Sequence, residues 1–425
     1  MRKGNKILII MFLLLFVVGV LLGLNFMKKY NKDDDKKDPG SNQEVVTPDI
    51  KNNSSFDVMM FKLENKKQNM VYSPLSIKYA LNIARYGADG NTKAELDKVL
   101  GEGQIGKYEN IKDHLSLANA VFIKTDFKDF VLDSYLNDVR NNLNSEVLYD
   151  EFVDAKNINK WIEDKTFNML KDVVPDKTVQ DPDFRMALVN ALAVDMEWKY
   201  SFEETRTYGQ DFTKADGSKV EATMMHAKVD SGYDDFKYYK DDDVSVISKD
   251  LKEYGGRQFE YIAILPEKDL SDYINDLKDN DLNELFDKLG SVDSKSEVNL
   301  AIPKYEYNFT MDNFKDNLIE LGLKEMFDEK KANFSKMATR ELFVSDAIHQ
   351  AKIEFGEKGV KAAAVTVLIM YEKSAIEPQK KTINITFDRP FMYVIRDKKT
   401  KDVWFMGTVY EPNLWEKDKK DYQSR

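Results

Sequence analysis

Residues 357–374 carry two conflicting structural signals, and this conflict constrains the fold more than any other feature of the chain. Gly359 and the three alanines at 362–364 are followed at 365–369 by Val-Thr-Val-Leu-Ile, which has strong strand propensity. A Lys-Ser pair at 373–374 and several lysines beyond it instead predict exposed chain. The segment is therefore predicted to occupy two places, an exposed loop and a buried strand.

Composition limits the class of protein. The chain has 425 residues, 42% of them hydrophobic, so it can bury a large core. A net charge of -11 argues against nucleic acid as a partner. Cysteine is absent, and the three histidines, His114, His226 and His349, lack the spacing of metal ligands. Because the sequence also has no nucleophile-elbow or phosphate-loop motif, we expect no enzyme activity, metal or cofactor.

The first 50 residues predict a targeting segment and a tether. Residues 7–24 are apolar or glycine without interruption, which is long enough for a membrane-spanning helix. Bulky residues follow where a signal peptidase would cut, which favours an uncleaved signal-anchor at 1–27 over a cleaved signal peptide. Residues 28–50 are charged and contain Pro and Gly, as in a flexible linker. We therefore expect an extracellular or cell-surface protein, anchored in the membrane or secreted.

Residues 51–415 predict a globular body, followed by a charged tail at 416–425. Ser73 and Pro74 suit the start of a helix, and helical periodicity also covers 157–174. Helices and strands cluster rather than alternate strictly, which predicts the α+β class with large sheets. Strands are predicted at 184–196, 244–251, 261–265, 298–304, 383–387, 392–395 and 403–409.

Several motifs along this body occur in the order found in one protein family. They are Val71-Tyr72-Ser73-Pro74-Leu75-Ser76, Leu117-Ala118-Asn119-Ala120, Val189-Asn190-Ala191 through Trp198, Phe343-Val344-Ser345 through His349, Phe387-Asp388-Arg389-Pro390-Phe391, and Phe405-Met406-Gly407. In these motifs, which span nearly all of residues 51–413, and in the segment at 357–374, the chain resembles the serpins, suicide inhibitors of proteases.

The resemblance implies the serpin fold, with a large mixed main β-sheet, additional sheets, about eight or nine helices and an exposed reactive-centre loop at residues 357–382. It implies a monomer that inhibits serine endopeptidases. The protease attacks a bait bond and forms a covalent acyl-enzyme, and the cleaved loop then inserts into the main sheet and traps the enzyme. Alternatives are a non-inhibitory binding or storage protein of this fold, or an inhibitor of elastase-like, chymotrypsin-like or cysteine proteases.

Counting from Glu357, as in inhibitory serpins, places the bait bond between Lys373 and Ser374. A lysine suits a trypsin-like protease, whose specificity pocket has an acid at its base. Glu372, Met370 and Tyr371 are alternative bait residues. The hinge is the part of the loop that enters the sheet first, and it comprises Glu357, Gly359, Val360, Ala362, Ala363, Ala364, Val365 and Thr366. Its small side chains and glycine suit insertion into a tight sheet.

The resemblance also assigns residues that control the opening of the main sheet. They are Ser73, Ser76, Asn190 and His349 beneath the opening, Trp198 at the top of the sheet, and Lys304, which pairs with the hinge glutamate in relatives. The sequence departs from the family at Ala193, Val194 and Gln350, which affects local packing rather than the mechanism. The chain between Thr92 and Asn119 is shorter than in many serpins, so we expect no activation by sulfated polysaccharides.

Overall fold

The computed structural model describes residues 56–101, 105–278, 280–360 and 380–416. The predicted signal-anchor, the linker and nearly all of the charged tail lie outside these residues, so they stay predictions. In the described part, no helix has both the length and the apolar character needed to cross a bilayer.

Nine α-helices occur in the described residues, together with three short 3-10 helices at Thr125–Phe130, Glu204–Arg206 and Glu325–Phe327. The α-helices are α1 (Phe56–Leu63), α2 (Pro74–Gly87), α3 (Gly90–Leu100), α4 (Asp133–Leu143), α5 (Lys156–Lys165), α6 (Asp176–Val179), α7 (Leu270–Asp276), α8 (Asp281–Asp287) and α9 (Phe314–Glu320).

Seventeen strands complete the described secondary structure. They are β1 (Met70–Tyr72), β2 (Leu115–Lys124), β3 (Ser145–Asp150), β4 (Met186–Val194), β5 (Met196–Glu197), β6 (Thr207–Thr213), β7 (Lys219–Val229), β8 (Phe236–Lys240), β9 (Val244–Asp250), β10 (Phe259–Pro266), β11 (Ser296–Pro303), β12 (Tyr305–Thr310), β13 (Gln350–Gly356), β14 (Gly359–Val360), β15 (Lys381–Thr386), β16 (Phe391–Asp397) and β17 (Val403–Val409). The predicted α+β class with several sheets is confirmed.

Two of the sheets form the scaffold behind the site. The larger has the strand order β1-β17-β16-β10-β9-β8, and β9, β10 and β16 are buried along their whole length. Residues 261–265 of β10 and 391–395 of β16 are apolar runs typical of strands covered on both faces, which is why these strands were predictable from sequence. The smaller sheet has the order β15-β11-β7-β6, with β15 parallel to β11 at its edge.

The main sheet is built from two groups of strands. One group has the order β3-β2-β4, with β3 parallel and β4 antiparallel to β2. The other has the order β12-β13-β14-β5, paired antiparallel throughout. Since β5 begins two residues after β4 ends, the chain at Asp195 joins the two groups. The main sheet is therefore mixed, as predicted.

Helix α5 covers one face of β2 and β4. Trp161 packs edge-on against Phe122 at a centroid distance of 5.9 Å. The periodicity of the sequence predicted a longer helix, but α5 ends at Lys165. Phe167 and Asn168 have φ angles of 51° and 60°, in the left-handed region that stops a right-handed helix. The segment after α5 is therefore irregular chain.

Helix α2 places its N-terminus beneath the main sheet. Ser73 is the N-cap, and its Oγ accepts a hydrogen bond of 3.0 Å from the Ser76 amide, while Pro74 occupies the first turn. The helix packs against both β4 and β17. It ends at Gly87, where an added Cβ would collide with the side chain of Met337.

Replacing Ser73 with Ala should lower the free energy of unfolding by about 1 kcal/mol, because the Ser76 amide loses its acceptor. Asp89→Ala is the matched control. Asp89 precedes α3, but its side chain accepts no capping hydrogen bond there, so its loss should be smaller. Urea unfolding followed by circular dichroism gives both values, and equal losses would contradict the capping role of Ser73.

Candidate functional site

The site begins where the chain leaves β13 and turns back into the main sheet. After the turn at Glu357 and Lys358, strand β14 lies between β13 and β5. Phe355 pairs with Val360 on one side, and Val360 pairs with Met196 on the other. The first residues of the predicted hinge therefore form a short strand inside the main sheet.

Gly359 is at the closest approach of this strand to its neighbour. An added Cβ at this position would overlap the carbonyl oxygen of Met196 and lie 2.7 Å from the Cα of Glu197. Both atoms belong to the backbone of β5, so no side-chain rearrangement could relieve the contact. Residue 359 must therefore be glycine for the hinge to enter beside β5.

Trp198 and Phe202 hold the turn by hydrogen bonds to three successive carbonyl groups. The Trp198 indole Nε1 donates to the oxygen of Gly356 at 2.9 Å. The Trp198 and Phe202 amides donate to the oxygens of Lys358 and Glu357, each at 2.8 Å. Trp198 is completely buried. These bonds fix the position at which the loop joins the sheet.

The Glu357 side chain forms an ion pair with Lys304, whose Nζ lies 2.7 Å from Glu357 Oε2. Burial acts to raise the pKa of Glu357, but the hydrogen bond and positive charge of Lys304, together with further hydrogen bonds to the carboxylate, outweigh it, and the pKa lies below the usual value. Glu357 is thus held as a carboxylate at the turn. On the exposed side, Lys358 lies 3.7 Å from Glu204, a pair that water screens.

A slot, the gap between β4 and β13, continues from the end of β14. Strand β4 pairs with β2 along its full length, and no described strand pairs with its other edge. Val360 lies at the top of the slot. Its lining is mainly apolar and includes Leu192, Val194, Ala351, Ile353 and, from the segment after α5, Met169 and Leu170. Residues 186–190 of β4 are only half-buried, whereas 191–194 are buried.

Four of the predicted control residues meet at the N-terminus of α2. The Ser73 amide donates to His349 Nε2 at 3.2 Å, on the β13 side of the slot. Ser76 Oγ donates to Asn190 Oδ1, on the β4 side. No hydrogen bond joins Asn190 to His349 in the part of the chain that the structure describes. The helix terminus therefore contacts both sides of the slot separately.

Sequence reasoning missed two residues of the site. Asn190 Nδ2 donates to Asn119 Oδ1 at 2.8 Å, and Asn119 Nδ2 donates to the Leu143 oxygen at 2.7 Å, which extends the polar cluster across β2. A polar residue within the apolar run of β2 was the available signal. Phe202 was missed because it acts through its backbone amide, for which the sequence carries no signal.

The predicted bait and most of the predicted hinge lie beyond the part of the chain that the structure describes. Lys373, Ser374, Glu372, Met370, Tyr371, Ala362, Ala363, Ala364, Val365 and Thr366 lie outside the described residues. The far end of the loop is described: Lys380 Nζ lies 3.7 Å from Asp230, and β15 follows. The described residues contain no cluster of three or more potential metal ligands.

The sequence model of the family described as Serpin (serine protease inhibitor) matches residues 51–412. An uncharacterized serpin-like protein of Methanosarcina mazei is 30% identical over 370 residues, which cover 81% of this chain and 82% of that protein. Plasminogen activator inhibitor 1 of Neovison vison is 29% identical, over 84% of this chain and 92% of that protein. The chain belongs to the serpin family.

A solved structure agrees with this assignment. The native state of tengpin, a thermophilic serpin, superposes with a TM-score of 0.70 at 25% sequence identity, over 89% of this chain and 97% of that chain. The predicted serpin fold is therefore confirmed. The family description also agrees with a protease inhibitor rather than an enzyme.

Replacing Gly359 with Ala should lower the free energy of unfolding by about 1–3 kcal/mol, because the added methyl group overlaps the backbone of β5. Gly290→Ala is the matched control, since an added Cβ at Gly290 has no atom within 4 Å. Urea unfolding of both variants measures the difference. If the two variants were equally stable, the close approach of β14 to β5 would be wrong.

Burial lowers the pKa of His349 to about 4. An unfolded histidine titrates near 6.5, so the unfolded state binds the proton first as the pH falls. The native state should therefore lose roughly 3 kcal/mol between about pH 6.5 and pH 4, and no more below that. The His349→Asn variant should not show this pH-dependent loss of stability. Urea unfolding of the wild type and the variant across this pH range is the measurement. If the free energy of unfolding changed with pH in the same way for both proteins, the role of His349 would be contradicted.

Proposed function

We propose that the protein inhibits serine proteases of trypsin-like specificity by suicide-substrate trapping. The observation that carries the proposal is the position of β14, which starts a strand between β13 and β5 at the top of an apolar slot. An inhibitory loop needs this geometry, because its first residues must be placed to continue down the sheet after cleavage.

The chemistry at the bait bond is an interrupted hydrolysis. The serine oxygen of the protease attacks the Lys373 carbonyl, the bond to Ser374 breaks, and the new amino group of Ser374 takes up a proton. The protease is then bound to Lys373 as an ester. Water would ordinarily hydrolyse this ester, so trapping requires that the loop insert first.

The slot offers the driving force for insertion. Residues 360–373 as a strand, at ~3.3 Å per residue, would carry the protease roughly 45 Å along the sheet. Each new strand hydrogen bond contributes about 0.5–1.5 kcal/mol, so the sum is of order 10 kcal/mol. One alternating set of loop residues, Val360, Ala362, Ala364 and Thr366, carries no charge and suits the apolar slot.

Incubation of the full chain with a small deficit of trypsin should give a complex that survives boiling on a denaturing gel and should abolish trypsin activity. The expected cut follows Lys373, because trypsin binds a basic side chain beside the scissile bond. Lys373→Ala should remove the complex, whereas Lys399→Ala, at an exposed lysine of the β16–β17 turn, should not.

Mass spectrometry of the C-terminal peptide, separated in denaturant, distinguishes the alternatives. If a protease of another specificity is trapped after it cuts the loop behind Glu372, Met370 or Tyr371, the bait residue and the class of target protease must be reassigned. Quantitative cleavage with active trypsin and no gain in heat stability would overturn the inhibitory function and favour a binding or storage protein. Cleavage with a large gain in heat stability would show that the loop inserts, but too slowly to trap trypsin before the ester is hydrolysed.

A further inference from the structure

A buried ion pair lies behind Trp198 and Phe202, the two aromatic residues that hold the hinge turn at residues 356–358. Lys249 Nζ on β9 is 2.5 Å from Asp235 Oδ2, just before β8, and the Asp235 side chain is completely buried. Burial lowers the pKa of Lys249 despite the neighbouring carboxylate. Asp235 Oδ1 has no hydrogen-bond partner among the described residues. A buried pair of this kind contributes little net stability, since desolvation offsets the attraction.

The Lys249 ammonium faces both aromatic rings. It lies 6.0 Å from the Trp198 ring centroid and 5.4 Å from that of Phe202. The two rings meet edge-on at 6.2 Å. A cation that is shielded from water attracts aromatic faces more strongly than an exposed one. The pair thus favours one arrangement of the two rings.

The backbone connects the same elements. The Asp250 amide donates to the backbone carbonyl oxygen of Asp235 at 2.8 Å, and the Lys199 amide donates to the backbone carbonyl oxygen of Asp250 at 3.0 Å. Lys199 directly follows Trp198, which also contacts Phe355 of β13 at 5.4 Å. The ion pair, the aromatic rings and the hinge turn therefore form one continuous packed unit.

We propose that Lys249 and Asp235 are positioning residues for loop insertion, which orient Trp198 and Phe202 so that the hinge turn stays aligned with the slot. The inference rests on the proposed inhibitory function. In the acyl-enzyme, insertion competes with hydrolysis, in which water adds to the ester, leaves a carboxylate on Lys373 and frees the protease serine. Loss of the pair slows insertion and leaves the earlier attack on the bait bond unchanged.

The test uses the full chain with Lys249→Met and Asp235→Asn combined, which removes both charges at nearly constant size and leaves no unpaired ion. The matched control combines Arg396→Met and Glu260→Gln. That pair is equally buried and lies 2.8 Å apart on β16 and β10, but its cation faces Phe286 instead of the hinge aromatics. The control measures the effect of removing any buried pair from this sheet.

Two quantities are measured against trypsin: the moles of protein consumed per mole of protease trapped, and the rate constant for initial cleavage of the loop. The excess of the first quantity over one equals the rate of hydrolysis divided by the rate of insertion, and we expect this excess to rise about three- to thirtyfold in the Lys249/Asp235 variant, the range for lost cation–π contacts. The second should stay within about twofold, because the bait bond is untouched. The control variant should change neither. An equal rise in the control overturns the proposal.

Hydrogen exchange at the Trp198 and Phe202 amides gives a readout that does not depend on trapping. Both amides are bonded to the hinge turn, and they should exchange faster in the Lys249/Asp235 variant than in the control. If the wild-type protein fails to trap trypsin while this difference holds, the proposed function fails and the positioning role stands. Unchanged exchange, or an unchanged consumption ratio in a chain that traps trypsin, overturns the positioning role.

Discussion

The hydrogen bonds from Trp198 and Phe202 to the carbonyl groups of residues 356–358 are the interaction on which the rest of the site depends. They fix the direction of the turn after β13. With the direction fixed, β14 must run between β13 and β5, and the absence of a side chain at Gly359 makes that path possible. The Lys304–Glu357 ion pair reinforces the turn by holding the Glu357 side chain.

The lower end of the slot is controlled by a different kind of contact. There, the N-terminus of α2 bonds His349 through Ser73 and bonds Asn190 through Ser76. The Ser73 amide, a backbone donor at the helix terminus, serves one side and the Ser76 hydroxyl serves the other, so the helix holds both sides without bringing them together. The slot is thus bounded by hydrogen bonds at two ends and by apolar side chains between them.

The sequence predicted those parts of the molecule where local pattern and tertiary environment agree. Strands buried on both faces, such as β10 and β16, contain apolar runs at 261–265 and 391–395, and Ser73 with Pro74 marked the start of α2. The predicted end of α5 was wrong, because Phe167 adopts left-handed backbone without any sequence signal for it and only Asn168 is of a residue type that favours this conformation. The Lys249–Asp235 pair was unpredictable for another reason, because charged residues are common on surfaces and only packing reveals that these two are buried.

The position of β16 has a consequence for what remains after the loop is cut. The peptide that follows the proposed bait bond contains β15, β16 and β17, and β16 lies between β17 and β10 in the middle of the six-stranded sheet. Both faces of β16 are buried, so its release would dismantle the scaffold. Cleavage at the proposed bond would therefore divide the polypeptide but not the folded domain: the two chains would stay together until a denaturant separated them.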